Sequence, residues 1–118
     1  MPVEIKRAYE AASADDGCRV LVDGLWPRGI AKTELKIDAW MKQIAPSTEL
    51  RKSYGHIPEK WEEFRKSYRQ ELRKPPRKAL LDELVERARK EQLTLVFGSR
   101  DAERSNAAVL AEMVQGML

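Results

Sequence analysis

Two short loops hold most of the residues in this chain that could do chemistry. Asp23-Gly24-Leu25-Trp26-Pro27-Arg28-Gly29 supplies an acid, an arginine, a tryptophan and two glycines. Gly98-Ser99-Arg100-Asp101 supplies a hydroxyl, a second arginine and a second acid. Each loop follows an apolar run, Val20-Leu21-Val22 or Leu93-Thr94-Leu95-Val96-Phe97, of the kind that forms a strand buried on both faces. If the two strands are parallel neighbours, both loops lie at their carboxyl ends, where open α/β sheets place binding crevices. Arg28 and Arg100 then offer bidentate contacts to a phosphate or carboxylate, and a helix starting after the second loop adds free amides and a favourable dipole. The expected site is a pocket for a small anion (phosphate, nucleotide or carboxylate). Its candidate ligand-binding residues are Asp23, Trp26, Arg28, Arg51, Ser99, Arg100 and Asn106. The competing reading of the first loop is a tight turn held by an Asp–Arg ion pair and a buried Trp.

Asp23 and His56 are the candidates for catalysis. A general base needs a raised pKa, whereas a neighbouring arginine lowers it, so Asp23 is expected to orient Arg28 rather than to take protons. His56 is the single histidine and stands in a loop, Tyr54-Gly55-His56-Ile57-Pro58, where capping or packing competes with acid–base work. No serine carries a Gly-x-Ser-x-Gly signature. Cys18 opens a strand, and its neighbour Arg19 points to the opposite face, so a buried and inert thiol is expected. One histidine and one cysteine cannot build a zinc tetrad. No metal or cofactor is expected.

The elements that must position these residues follow from spacing. Val3 to Tyr9 alternates as a half-exposed strand, and Ser13 to Gly17 reads as a turn. Residues 37–44 fit helical spacing, yet they are short, weakly capped and ended by Pro46, which favours an extended piece. Ser47 caps a short helix from Thr48 to Tyr54, closed by Gly55. Pro58 opens the next helix, whose core stripe is Trp61, Phe64, Tyr68 and Leu72. Pro75-Pro76 ends it, and a helix from Arg77 to Glu91 follows with Leu80, Leu81, Leu84, Val85 and Ala88 inward. After the second buried strand, Asp101 or Ser105 caps a last helix bearing Val109, Leu110, Met113 and Val114. The expected fold is α/β: one compact domain over residues 1–118, with a small, mostly parallel sheet flanked by helices.

Composition sets the outer limits. With 42% hydrophobic and 35% charged residues the chain can fill a core under a well-solvated surface. A net charge of +3 is too weak to argue for nucleic acid, and the second helix mixes both signs as solvated faces do. One cysteine excludes an intramolecular disulfide, and no run approaches the ~20 apolar residues of a membrane helix. A soluble cytoplasmic protein is expected, without a membrane partner. Two further functions stand beside the anion pocket. One is a non-enzymatic module that recognises a protein or nucleic acid through exposed helices; the other is a weak or altered hydrolase or transferase. No heptad pattern speaks for self-association.

Val20-Leu21-Val22-Asp23-x-Leu25-Trp26-Pro27-Arg28-Gly29, then Trp40 and Ala45-Pro46-Ser47-x-x-Leu50-Arg51, resemble the YeaO-like family. So do Gly55-His56, Trp61-x-x-Phe64, Tyr68-x-x-Glu71-Leu72, Thr94-Leu95 and Asn106-x-Ala108-x-x-Leu110, in one consistent order. This is a domain-of-unknown-function family of small bacterial and archaeal proteins. The resemblance implies a single α/β domain, tilts residues 37–44 further towards a strand and supplies no substrate. It also marks two departures: Gly24 stands where the family commonly has Arg, and Ala107 where it commonly has His. A site that used those side chains has lost two members here. Wider relatives carry a cysteine after the last strand, and the absence of one from residues 98–101 counts against a thiolate mechanism.

Overall fold

The structure, a computed structural model, describes residues 2–118. Its strands are Val3–Arg7 (β1), Cys18–Leu21 (β2), Ala39–Trp40 (β3) and Leu93–Phe97 (β4). They pair in the order β1-β4-β2-β3, all parallel. β4 is thus central, with Leu95 opposite Ile5 on one side and Val20 on the other. The two apolar runs are neighbours, as expected, and both of their loops leave the same edge of the sheet. β2 and β4 are buried throughout, which is why they read as unbroken apolar runs and not as alternating strands.

The helices are Lys32–Leu35 (α1), Thr48–Tyr54 (α2), Trp61–Leu72 (α3), Arg77–Lys90 (α4) and Asn106–Met117 (α5). Val20, Val22, Leu95 and Phe97 face the main core with Phe64, Tyr68 and Leu72 of α3, Leu81, Leu84 and Val85 of α4, and Val109, Leu110 and Val114 of α5. Alternation sends Leu21 and Val96 to the other face, where Ala8, Leu35 and the partly buried Trp26, Ile30 and Ile37 cover them. Residues 37–44 are extended only at Ala39–Trp40, followed by a 3-10 turn at Lys42–Ile44. No helix is long and apolar enough to cross a membrane.

That second face also buries a charged cluster. Arg19 is 4% exposed and donates to Asp16 Oδ2 at 2.6 Å, the Leu35 carbonyl at 2.8 Å and the Lys36 carbonyl at 3.2 Å. Asp16 also takes Lys6 Nζ at 3.1 Å and the Ser13 amide at 3.0 Å. Burial raises the Asp16 pKa, but the Ser13 amide, Lys6 and Arg19 outweigh it, and its carboxyl lies below the usual range. Thr94 on central β4 donates to the Asp16 carbonyl at 2.7 Å and locks the cluster to the sheet.

Candidate functional site

The loops after β2 and β4 meet at one cavity of about 280 Å³. Asp23, Ser99, Ser105 and Asn106 line it with polar groups, and Arg51, His56 and Arg104 with basic ones. Gly24, Leu25, Ala45, Pro46, Tyr54 and Phe64 complete the lining.

Each wall is held by contacts that local sequence explains. Ser47 caps α2, accepting the Leu50 amide at 3.2 Å, and Glu71 from α3 takes the Ser47 amide at 2.9 Å. Tyr68 hydroxyl donates to the Ile44 carbonyl at 2.7 Å, and Arg77 Nε donates to the Ala45 carbonyl at 2.8 Å. These two bonds fix the Ala45–Pro46 wall. Tyr54 hydroxyl donates to the Arg104 carbonyl at 3.1 Å and so ties α2 to the turn before α5. Gly55 ends α2 with φ 54°, and His56 follows with φ 58°. A non-glycine residue in this left-handed region costs about 1–3 kcal/mol, and here it turns the chain so that the imidazole lies beside the Tyr54 ring and at the cavity wall.

Asp23 joins the sheet to α5. Its Oδ2 accepts the Gly98 amide at 2.8 Å, and its Oδ1 accepts Asn106 Nδ2 at 3.2 Å. Asn106 Nδ2 also donates to the Val22 carbonyl at 3.1 Å, and the Asp23 carbonyl takes Trp40 Nε1 at 2.7 Å. A Cβ on Gly98 would lie 3.3 Å from Asp23 Oδ2, so glycine gives this approach its room. Burial raises the Asp23 pKa above its usual value. The Gly98 amide, Asn106 and the charges of Arg51 and His56 oppose that rise without cancelling it.

Arg28 is not the partner of Asp23. After Leu25 the chain crosses to the other sheet face, where Trp26 packs against the Leu21–Val96 cluster and donates to the Ile30 carbonyl at 2.7 Å. Arg28 is exposed, and its carbonyl accepts the Tyr9 hydroxyl at 3.1 Å. Arg100 is exposed as well, and Trp26, Arg28 and Arg100 all lie outside the cavity lining. Neither Arg28 nor Arg100 contributes to this cavity. Asp23, Arg51, His56, Ser99 and Asn106 are brought together, and Arg104 takes the place given to Arg28 and Arg100. Arg104 stands two residues before Asn106, so proximity in sequence was its one signal; Tyr54 reads only as the end of a short helix and Phe64 only as core.

Ser105, not Asp101, caps α5 by accepting the Ala108 amide at 3.2 Å, and Asp101 pairs with Arg104 at 3.0 Å. Arg51 donates to Thr48 Oγ1 at 3.3 Å and has no carboxylate within ion-pair distance among the described residues. Serine, histidine and aspartate all line the cavity, yet among the described residues no hydrogen bond links His56 to Ser99 or Asp23. A nucleophile–base relay is not assembled. Gly24 lines the cavity, whereas Ala107 is fully buried in the core behind Asn106. Cys18 is buried, and Arg87 of α4 donates to its Sγ at 3.3 Å, an arginine that its own strand did not foretell.

Residues 2–118 match the family model described as the inactive DUF488-N3 subclade. Escherichia coli YeaO, named an uncharacterized protein, is 39% identical over 99% of this chain and 100% of its own length. An uncharacterized protein of Mycobacterium tuberculosis is 43% identical over 97% of this chain and 94% of its own. No solved structure matches.

Proposed function

We propose, for a chain that belongs to the inactive DUF488-N3 subclade with its YeaO-like relatives, that it binds a small organic anion at the carboxyl ends of β2 and β4 without turning it over. The observation that carries this reading is the convergence of Arg51, His56 and Arg104 on a cavity with apolar walls. Two guanidiniums stay charged at any working pH, and Arg51 is not neutralised by a carboxylate of the protein. The start of α5 adds amides that a helix leaves without internal acceptors. At about 280 Å³ the cavity suits one small metabolite and lies at the lower edge of ordinary ligand pockets.

Two observations favour binding over chemistry. Asp23 and His56 are the acid–base side chains of the lining, and they share no hydrogen bond with each other or with a hydroxyl nucleophile among the described residues. The family description itself reads inactive. An interaction module working through exposed helices finds less support. The exposed large apolar residues are Tyr9, Leu25, Trp40, Ile57 and Leu118, none of them on α3 or α4.

Thermal shift against phosphate, nucleoside monophosphates and carboxylates tests the reading. A ligand at 100 times its Kd adds about 2.7 kcal/mol, or roughly 10 °C in Tm. Arg51→Ala and Arg104→Ala should abolish the shift, while Arg28→Ala and Arg100→Ala leave it intact. A shift that follows Arg28 and ignores Arg51 defeats the assignment.

A further inference from the structure

Arginines from three distant segments gather around one exposed tyrosine at the carboxyl edge of the sheet, and from that grouping we infer a binding surface for single-stranded nucleic acid. It uses other side chains than the cavity and does not rest on the anion-pocket reading. Tyr9 follows β1 and is 50% exposed. The Arg7 guanidinium lies over its ring, 5.1 Å from the centroid. Arg7 Nε also donates to the Ser99 carbonyl at 2.8 Å, next to Arg100 in the chain. The Tyr9 hydroxyl donates to the Arg28 carbonyl at 3.1 Å, which brings the loop after β2 to the same ring. Arg28 and Arg100 are exposed, and none of the three arginines has a carboxylate within ion-pair distance among the described residues. Asp101, beside Arg100, is taken by Arg104 at 3.0 Å, and Glu10, exposed beside Tyr9 in the chain, is a single charge against three.

The pairing of cations with a ring sets the kind of partner. Guanidiniums without a protein counter-charge attract phosphates, and a tyrosine ring steadied by a cation is a platform on which a base stacks. An acidic peptide would satisfy the arginines but make no use of the ring. A duplex offers phosphates but keeps the faces of its bases stacked inside. A single strand offers both groups at once. The chain's net charge of +3 conceals this surface, because Arg7, Arg28 and Arg100 come together only through the fold.

Fluorescence anisotropy at pH 7 tests it, with labelled oligothymidylate and oligouridylate as single strands, a DNA duplex of the same length and a hexaglutamate peptide. Three phosphate contacts predict that log K for the single strands falls with log salt at a slope of about −2. Arg28→Ala and Arg100→Ala should each reduce the size of that slope by about 0.7. Tyr9→Ala should weaken binding about fivefold or more at an unchanged slope, while Tyr9→Phe, which keeps the ring, binds as the unaltered protein does. Arg73→Ala removes an exposed cation at the end of α3 and should change neither affinity nor slope. Tighter binding of one of the two strands assigns DNA or RNA, and equal binding assigns a surface that reads bases and phosphates without the sugar. Duplex or hexaglutamate binding as tight as that of the single strands overturns the inference. So does binding that is lost in Arg51→Ala and kept in Arg28→Ala, which would put the strand in the cavity, and so does binding of none of the four probes.

Discussion

Replacing Asp23 with alanine tests whether burial or the charges of Arg51 and His56 govern its carboxyl. Asp23 is the side chain that joins the end of β2 to the end of β4 and the start of α5. In the variant Asn106 keeps the Val22 carbonyl, but the Gly98 amide loses its 2.8 Å acceptor. One partly buried donor left without a partner costs about 1–3 kcal/mol, so we take about 2 kcal/mol at pH 7. With a urea m-value of about 2 kcal/mol/M this moves the unfolding midpoint down by about 1 M. The pH dependence carries the sharper information. The folded pKa of Asp23 is raised by burial, so the native state holds this proton more tightly than the unfolded chain. Its ionisation contribution is fully present below the unfolded value of about 3.9 and is lost as pH rises through the folded value. Wild type minus Asp23→Ala should therefore be larger at pH 4 than at pH 7. Asp16 titrates in both proteins on the far face of the sheet and cancels in the difference. Urea titrations at pH 4, 5.5 and 7 measure it. A difference that grows towards pH 7 would mean that Arg51 and His56 hold the carboxylate charged more strongly than burial opposes it, and the account of the site would be wrong.

Four further outcomes follow from other contacts of the fold and the site. Arg19→Ala leaves Asp16 half-paired and frees the carbonyls of Leu35 and Lys36, at a cost of about 3–5 kcal/mol by denaturant unfolding. The stability that Asp16 contributes should be present above its unfolded pKa and lost as pH falls through its lowered folded value, and Asp16→Asn should flatten that acid limb. Gly24→Arg places its Cβ in ordinary contact with Ala45 at 3.6 Å and its long side chain at the cavity, so Tm should move little while calorimetric anion binding is lost. Gly17→Ala forces a left-handed φ of 63° and drives its Cβ into the Gln92 carbonyl oxygen, and should cost more than about 3 kcal/mol in urea.

Much of the fold was legible because its signals are strong where burial is complete. Val20 to Val22 and Leu93 to Phe97 have no polar alternation to confuse, since helices cover one face and residues 24–38 the other. The stripe of Trp61, Phe64, Tyr68 and Leu72 named α3, and Pro75-Pro76 and Gly55 named boundaries. Weaker signals failed for physical reasons. α1 is a single turn whose one buried residue is Leu35, too little for periodicity to register. Residues 37–44 earn a strand label at Ala39 and Trp40 alone, because β3 is an edge that pairs with β2 over only those two positions. The 3-10 turn after them carries Ile44 into the core with spacing that imitates a helix.

The site was half legible, and the missing half has one cause. Sequence order says that Asp23, Trp26 and Arg28 leave the same strand end, but not which face of the sheet each then serves. Trp26 decides the matter: its indole gains more by covering Leu21 and Val96 than by lining an open cavity, and it carries Arg28 away with it. The vacated ground is taken by α2 and by the turn before α5, which Tyr54 joins through the Arg104 carbonyl. Arg51 lines the cavity from α2. Arg104 was missed because nothing in Asp101-Ala102-Glu103-Arg104 says that this turn folds over the cavity; the hydroxyl that draws it there sits fifty residues earlier. Asp23 lines the cavity, and its partners are the Gly98 amide and Asn106 in place of the expected Arg28. Its carboxylate does not steer an arginine. It links the two central strands to α5 through the Gly98 amide and Asn106.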